Sequence, residues 1–184
     1  MRPADAEFAS SYRGYVSLVP ETDVLTALEE QVGIFRRVLG SVDRERETFA
    51  YAPGKWTIRQ VVGHIGDGER VFGFRAYAFS RFDASPLAGF DDHAYVEQSR
   101  CADVPLADLV EDFAAVRAAN LRMFRALRAE QWTAGGVANG AAITVRALAF
   151  VMVGHVRHHL LGFRDRYGVV SSVLHAATTD ETTA

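Results

Sequence analysis

An all-α fold, and within it a four-helix bundle, is what this sequence predicts. Three observations carry the prediction. Four long segments repeat apolar residues at spacings of three and four, no stretch alternates convincingly with a period of two, and helix-starting and helix-ending residues stand at the segment ends. A helix of about twenty residues spans roughly 30 Å, which suits a compact bundle.

The first segment, 23–39, places Val24, Leu25, Leu28, Val32, Phe35 and Leu39 on one helical face, with Thr22 as the expected cap and Gly40 as the stop. After a Pro53-Gly54 turn, Thr57-Ile58-Arg59-Gln60 reads as a capping box, so a second helix is expected over 58–79. Its buried side would hold Val61, His64, Ile65, Val71, Phe72 and Phe79. Gly63, Gly66 and Gly68 lower its propensity and need a reason: either a neighbouring helix comes close, or room is kept beside His64 for a ligand.

From 81 to 104 the sequence is rich in loop formers, and Phe82, Leu87, Phe90 and Tyr95 are expected to tuck this long crossover onto the bundle. Such a connection lets the second and third helices run parallel. The third helix, 106–127, enters behind Pro105 and repeats through Leu109, Phe113, Val116, Leu121, Phe124 and Leu127. Gly135, Gly136, Asn139 and Gly140 break the chain before Thr144 caps a last helix over 145–167, ended by Gly168. The division expected is an N-terminal arm over 1–21, the bundle domain over 22–170 and a flexible tail over 171–184.

At 184 residues, 49% of them hydrophobic, the chain can bury the core of one domain without disulfide staples. A net charge of −3 supplies no basic footprint for phosphate backbones, so no nucleic-acid partner is expected. Cys101 is the single cysteine, which excludes an intramolecular disulfide and a multi-thiolate metal site. Residues 1–20 lack the apolar run of a signal peptide, and no uninterrupted apolar stretch reaches membrane-spanning length; the expectation is a cytoplasmic protein without a membrane partner.

The chemistry concentrates in histidines. His155 and His159 stand four apart on the last helix, one turn above each other, on a stripe otherwise made of Leu148, Val151, Met152 and Phe163. That spacing lets two imidazoles hold one ion, although a pair that merely fills space and hydrogen-bonds is an equal reading of it alone. His64, on the apolar stripe of the second helix, shifts the balance: three neutral imidazoles with one open position are the arrangement of a catalytic zinc site. His158 is turned about 100° away and fits an edge or substrate contact better than a ligand. His93 and His175 read as solvated. Asp67 and Glu69 are candidates for proton handling, with a solvated or ion-paired carboxylate as the alternative for each, and Arg75 lies about three turns beyond His64, placed to meet an anionic group or a bundle carboxylate. No phosphate-binding Gly-rich loop, G-x-S-x-G elbow or H-E-x-x-H pair is present.

With these residues in place, residues 22–167 resemble the DinB/YfiT-like superfamily of damage-inducible bundle proteins. The resemblance rests on Ala52-Pro53-Gly54-Lys55-Trp56-Thr57-Ile58-Arg59 leading into Gly63-His64, on Glu69-Arg70-Val71-Phe72 and Arg75, on Gly89-Phe90-Asp91, and on Gly154-His155-Val156-Arg157-His158-His159-Leu160. Gly66 departs from it, most relatives having alanine there. The resemblance implies an up-down-down-up bundle and one divalent ion, zinc or nickel with manganese or iron also compatible, held by His64, His155 and His159. It implies a thiol S-transferase acting with bacillithiol or mycothiol on an electrophile, as in the bacillithiol transferases and the mycothiol-dependent maleylpyruvate isomerase. A metal-dependent hydrolase with Asp67 or Glu69 managing the proton, or a non-catalytic metal or ligand binder, is the alternative. Relatives often dimerise, and exposed apolar residues of the first or third helix are the expected contact for a homodimer.

Overall fold

The computed structural model describes residues 2–169. Its helices are α1 (Arg13–Ser17), α2 (Val24–Leu39), α3 (Ile58–Ser80), α4 (Asp92–Ser99), α5 (Leu106–Arg125), α6 (Ala129–Thr133) and α7 (Val145–Asp165), and a two-stranded antiparallel sheet, β1 (Gly135–Ala138) and β2 (Ala141–Thr144), lies between α6 and α7. The four long helices α2, α3, α5 and α7 are those expected from the apolar spacing, and their ends agree within two residues, the ordinary latitude of helix boundaries.

Local chemistry sets those ends. Thr57 and Gln60 form the reciprocal capping box at the start of α3, the Thr57 hydroxyl accepting from the Gln60 amide and the Gln60 side chain accepting from the Thr57 amide. Thr144 accepts from the Ala147 amide to start α7. At α2 the cap is Asp23 rather than Thr22: its carboxylate accepts from the amides of Leu25 and Thr26, and a charged acceptor at a helix N-terminus also meets the helix dipole.

Contacts along the seams give the directions of the helices. Arg36 pairs with Glu111 and Glu29 with Arg125, so α2 and α5 are antiparallel. Arg70 meets Asp112, Glu69 meets Arg117 and Gly73 abuts Asn120, so α3 and α5 run parallel. His64 faces His159 while Gly68 faces His155, so α3 and α7 are antiparallel. That is the up-down-down-up order. The parallel pair is possible because the 81–104 crossover carries the chain back along the bundle.

The core falls into two apolar halves. One gathers Leu28, Phe72, Phe79, Phe124, Leu148 and Phe150; the other gathers Phe35, Ile58, Ile65, Phe113, Leu160 and Phe163. Between them, at mid-bundle, every long helix contributes buried polar groups: Gln31 from α2, His64 and Glu69 from α3, Arg117 from α5 and His155 from α7.

Two expectations are corrected here. In the crossover, Phe82 and Tyr95 point outward, and the residues that seat it are Val96 and Cys101, with Leu87 and Phe90 only partly covered. The segment expected as a plain break before the last helix holds α6 and a hairpin whose turn, Asn139-Gly140, has positive φ at both residues, as a two-residue type I′ turn requires. The N-terminal residues pack against the bundle: Val16 and Val19 are buried, and α1 lies on α7 where Gly154 lets the Tyr15 carbonyl approach. His175 and the expected tail over 171–184 lie outside the described residues.

Candidate metal centre

At mid-bundle on the α3–α7 seam, the imidazoles of His64, His155 and His159 converge, one ligating atom from each lying within 4.8 Å of the others. His155 Nε2 is 3.1 Å from His64 Nε2 and 3.1 Å from His159 Nε2. Helical periodicity brings His155 and His159 onto one face, and the antiparallel packing of α3 brings His64 opposite them. Aromatic rings wall the cluster: Trp56 lies 4.9 Å from the His64 ring, Phe72 meets the His155 ring edge-on at 5.6 Å, and Tyr15 meets it likewise at 5.6 Å.

Burial keeps all three imidazoles neutral. It lowers the His64 pKa, an effect partly opposed by Asp92; it holds His155 well below the ordinary range, with His159 and His64 adding repulsion; and it takes His159 down to about 3. Neutral imidazole is the ligating form, and two nitrogens each about 2.0–2.1 Å from one ion stand roughly 3.3 Å apart at a tetrahedral angle. The cluster therefore fits a single divalent ion in donor type, protonation and spacing. Its own hydrogen bonding is incomplete: His64 Nδ1 is buried without a partner among the described residues.

The glycines of α3 divide by cause. A Cβ at Gly63 would strike the Cys101 side chain at 2.6 Å, which is close approach by the crossover, whereas a Cβ at Gly68 would stand 2.8 Å from His155 Cε1. Gly68 makes room for a site histidine. Gly66 meets nothing closer than ordinary contact.

The remaining expected site residues disperse. Glu69 is not free to handle protons: both carboxylate oxygens accept from Arg117 at 2.8 Å, Asn120 Nδ2 adds a third bond at 2.8 Å, and the pair is almost wholly buried. Asp67 is half-buried, its Oδ2 without a partner among the described residues, and burial raises its pKa; the charges it feels are Arg70 and Asp112, at the α3–α5 seam and not the histidine seam. Arg75 is buried and lines a cavity of about 190 Å³ that ends at His64 and His155. His158 is exposed and lines a larger, open cavity of about 460 Å³ together with Trp56, Asp92, His93 and His159.

Four residues at this site lie outside the set that the sequence marks for chemistry, although Trp56 belongs to the motif that carries the family resemblance. Trp56 is stacked between His64 and His93, whose rings lie 4.9 and 4.7 Å away; Tyr15 arrives from the N-terminal segment; and Asp92, the first residue of α4, lines both cavities. His93, which reads as solvated, is exposed but belongs to the larger cavity wall. One hint was available: Gly154, amid bulky apolar residues of a helix, marks where another backbone comes close.

A sequence model of the DinB superfamily matches residues 27–161. The chain superposes on YfiT from Bacillus subtilis, described as a probable metal-dependent hydrolase with an unusual four-helix bundle topology, with a TM-score of 0.71 and 17% identity over 92% of this chain and 95% of that one. It is also similar to a mycothiol-dependent maleylpyruvate isomerase, with a TM-score of 0.65 and 13% identity over 88% of this chain and 69% of that one. No curated protein sequence matches the chain.

Proposed function

The chain belongs to the DinB superfamily, and from that premise we propose that it is a metal-dependent thiol S-transferase. It would take a low-molecular-weight thiol of the bacillithiol or mycothiol class and join its sulfur to a small electrophile. The observation that carries this reading is the convergence of three neutral imidazoles, two buried and one half-buried, between two cavities of unequal size. Zinc or nickel is the ion we assign, with manganese or iron compatible with the same three nitrogens. Such an ion would supply Lewis acidity, lowering the pKa of a thiol brought to its open position.

The protein's own groups divide the remaining work. The larger cavity, bordered by the exposed His158, His93 and Lys55, suits the bulkier thiol; the smaller one, walled by Tyr12, Tyr15, Phe72 and Phe90, suits the electrophile. Asp92 is the carboxylate facing both, and we assign proton handling to it in place of Asp67 and Glu69. The second reading is a metal-dependent hydrolase, favoured by the open cavity, which admits water to the same centre, and by the likeness to YfiT.

No helix among the described residues is long and apolar enough to cross a membrane, and we place the protein in the cytoplasm, without nucleic-acid partners. We also propose a homodimer, through the exposed Phe74 and Tyr77 of α3 and the adjacent Phe82 rather than through α2 or α5.

Elemental analysis of untagged protein, beside His64→Ala and His155→Ala, tests the centre: near one equivalent of metal in wild type and none in either variant is expected. Wild type that stays metal-free after reconstitution with zinc, nickel and manganese removes the catalytic reading. Product analysis then separates the chemistries. A thioether formed only with added thiol supports transfer, thiol-independent turnover supports hydrolysis, and metal bound with neither activity leaves a binder.

A further inference from the structure

We infer that the substrate entering the smaller cavity is a small organic carboxylate, anchored by Arg75. The inference rests on the reading of the three histidines as the reacting centre, because it names the substrate class for that same site.

The observation is a buried arginine without an anion. Arg75 is 3% exposed, yet its one hydrogen bond among the described residues is from Nη2 to the Ala88 carbonyl, 3.0 Å, and its guanidinium otherwise lies over the Phe72 ring at 5.9 Å. No carboxylate among the described residues comes within ion-pairing distance of it. A guanidinium has five N–H donors, and a charge taken out of water without a counter-charge is expensive. The same bundle shows what a structural buried arginine looks like: Arg117, fully buried, is bidentate to Glu69 and also bonds Gln31 and the Leu28 carbonyl. Arg75 lacks that complement and faces a cavity.

The cavity is placed to use it. Side chains on a helix lean towards its N-terminus, so the Arg75 guanidinium leans back along α3 towards Gly68, where His155 is received. Phe72 joins the two ends, its face beneath the guanidinium and its edge against His155 at 5.6 Å. A planar fork of donors at one end, aromatic walls along the sides and the histidine cluster at the other end match a short acid whose carboxylate is held away from its reacting carbon. The volume of about 190 Å³, roughly that of six waters in the liquid, limits the acid to a small one. Asp92 is the anionic side chain on this wall; it is not paired with Arg75, and its charge acts on His64 and Tyr15 at the boundary with the larger cavity.

The test is calorimetric titration of metal-free and zinc-loaded protein with propionate and benzoate, each against its neutral amide, in wild type and Arg75→Met. In metal-free wild type each acid should bind about tenfold or more tightly than its amide, the worth of a charge-assisted pair, and the preference should vanish in Arg75→Met. Without ligand the variant should melt no lower than wild type, because it removes an uncompensated buried charge. Equal binding of acid and amide by wild type, an acid preference that survives in Arg75→Met, or a variant that does not fold would each overturn the inference. Zinc content measured on the same samples separates the two readings. Zinc bound without an acid preference defeats this inference alone, and an acid preference in protein that binds no metal defeats the proposed metal chemistry alone.

Discussion

The two seams of α3 bury polar groups at the same level of the bundle and treat them in opposite ways. On the α5 side, Glu69 and Arg117 close on each other, with Gln31 and Asn120 taking the remaining donors and acceptors, and Gln31 continuing to the Val153 carbonyl. On the α7 side, three imidazoles turn like atoms towards a common point, and nearby Arg75 carries a charge without a counter-charge among the described residues. A satisfied cluster needs nothing from outside the chain and ties four helices together. An unsatisfied one is costly unless a ligand completes it, which is why the two seams, alike in burial, differ in function.

The largest effect that should sharpen this contrast is on the closed seam. Arg117→Met leaves the Glu69 carboxylate buried and unpaired and should cost about 3–5 kcal/mol in chemical denaturation, while adding Glu69→Leu should return most of that loss. A small loss in the single variant would show the pair to be less enclosed than its geometry indicates.

Acid should act next, through the open seam. The unfolded chain protonates His159 near its ordinary value of 6.5, whereas the folded chain resists until about 3. The stability associated with the neutral form is thus present above pH 6.5 and is lost as pH falls towards 3, at about 1.4 kcal/mol per pH unit for each such histidine. Metal-free His159→Leu should show a shallower fall over that window, and an unchanged slope would mean that the imidazole is hydrated in the native protein.

Smaller still, Gly68→Ala should press on the His155 ring and weaken zinc affinity by about 10–100-fold, the range for disturbing the support of a ligand. Titration against a competing chelator measures it, and unaltered affinity would show that the ring can swing aside without leaving the ion. Finally, Thr57→Ala removes the α3 cap and should cost about 1 kcal/mol. Its hydrogen-exchange signature should be confined to the turns around His64 and fade before Glu69, about three turns on; uniform loosening would mean that the two seams open together.

Much of this was legible in the residues. The four long helices followed from apolar spacing and caps, because a helix must present one stripe to its neighbours whatever they are. The three histidines were legible because imidazoles on apolar stripes need a reason to be there. The closed seam was less so, although its signal existed: Arg117 interrupts the stripe Phe113, Arg117, Leu121 on α5 as Glu69 interrupts Ile65, Glu69, Phe72 on α3, and two opposite charges misplaced on facing stripes imply each other. Glu69 was instead expected near the chemistry because it lies close to His64 in sequence, but five residues on a helix turn a side chain to a different seam. The Asn139-Gly140 hairpin reads in sequence as a simple break, its flanking strands being too short to show alternation.

The sequence by itself determined the four long helices, the caps of α3 and α7 and the identity of the three converging histidines, since each depends on a pattern within one segment. Tertiary structure alone decided that Tyr15, Trp56 and Asp92 join them, that Glu69 is spent on Arg117 and that Arg75 has no counter-charge among the described residues. Those outcomes depend on which faces of distant segments meet, and no local pattern encodes the far side of a contact.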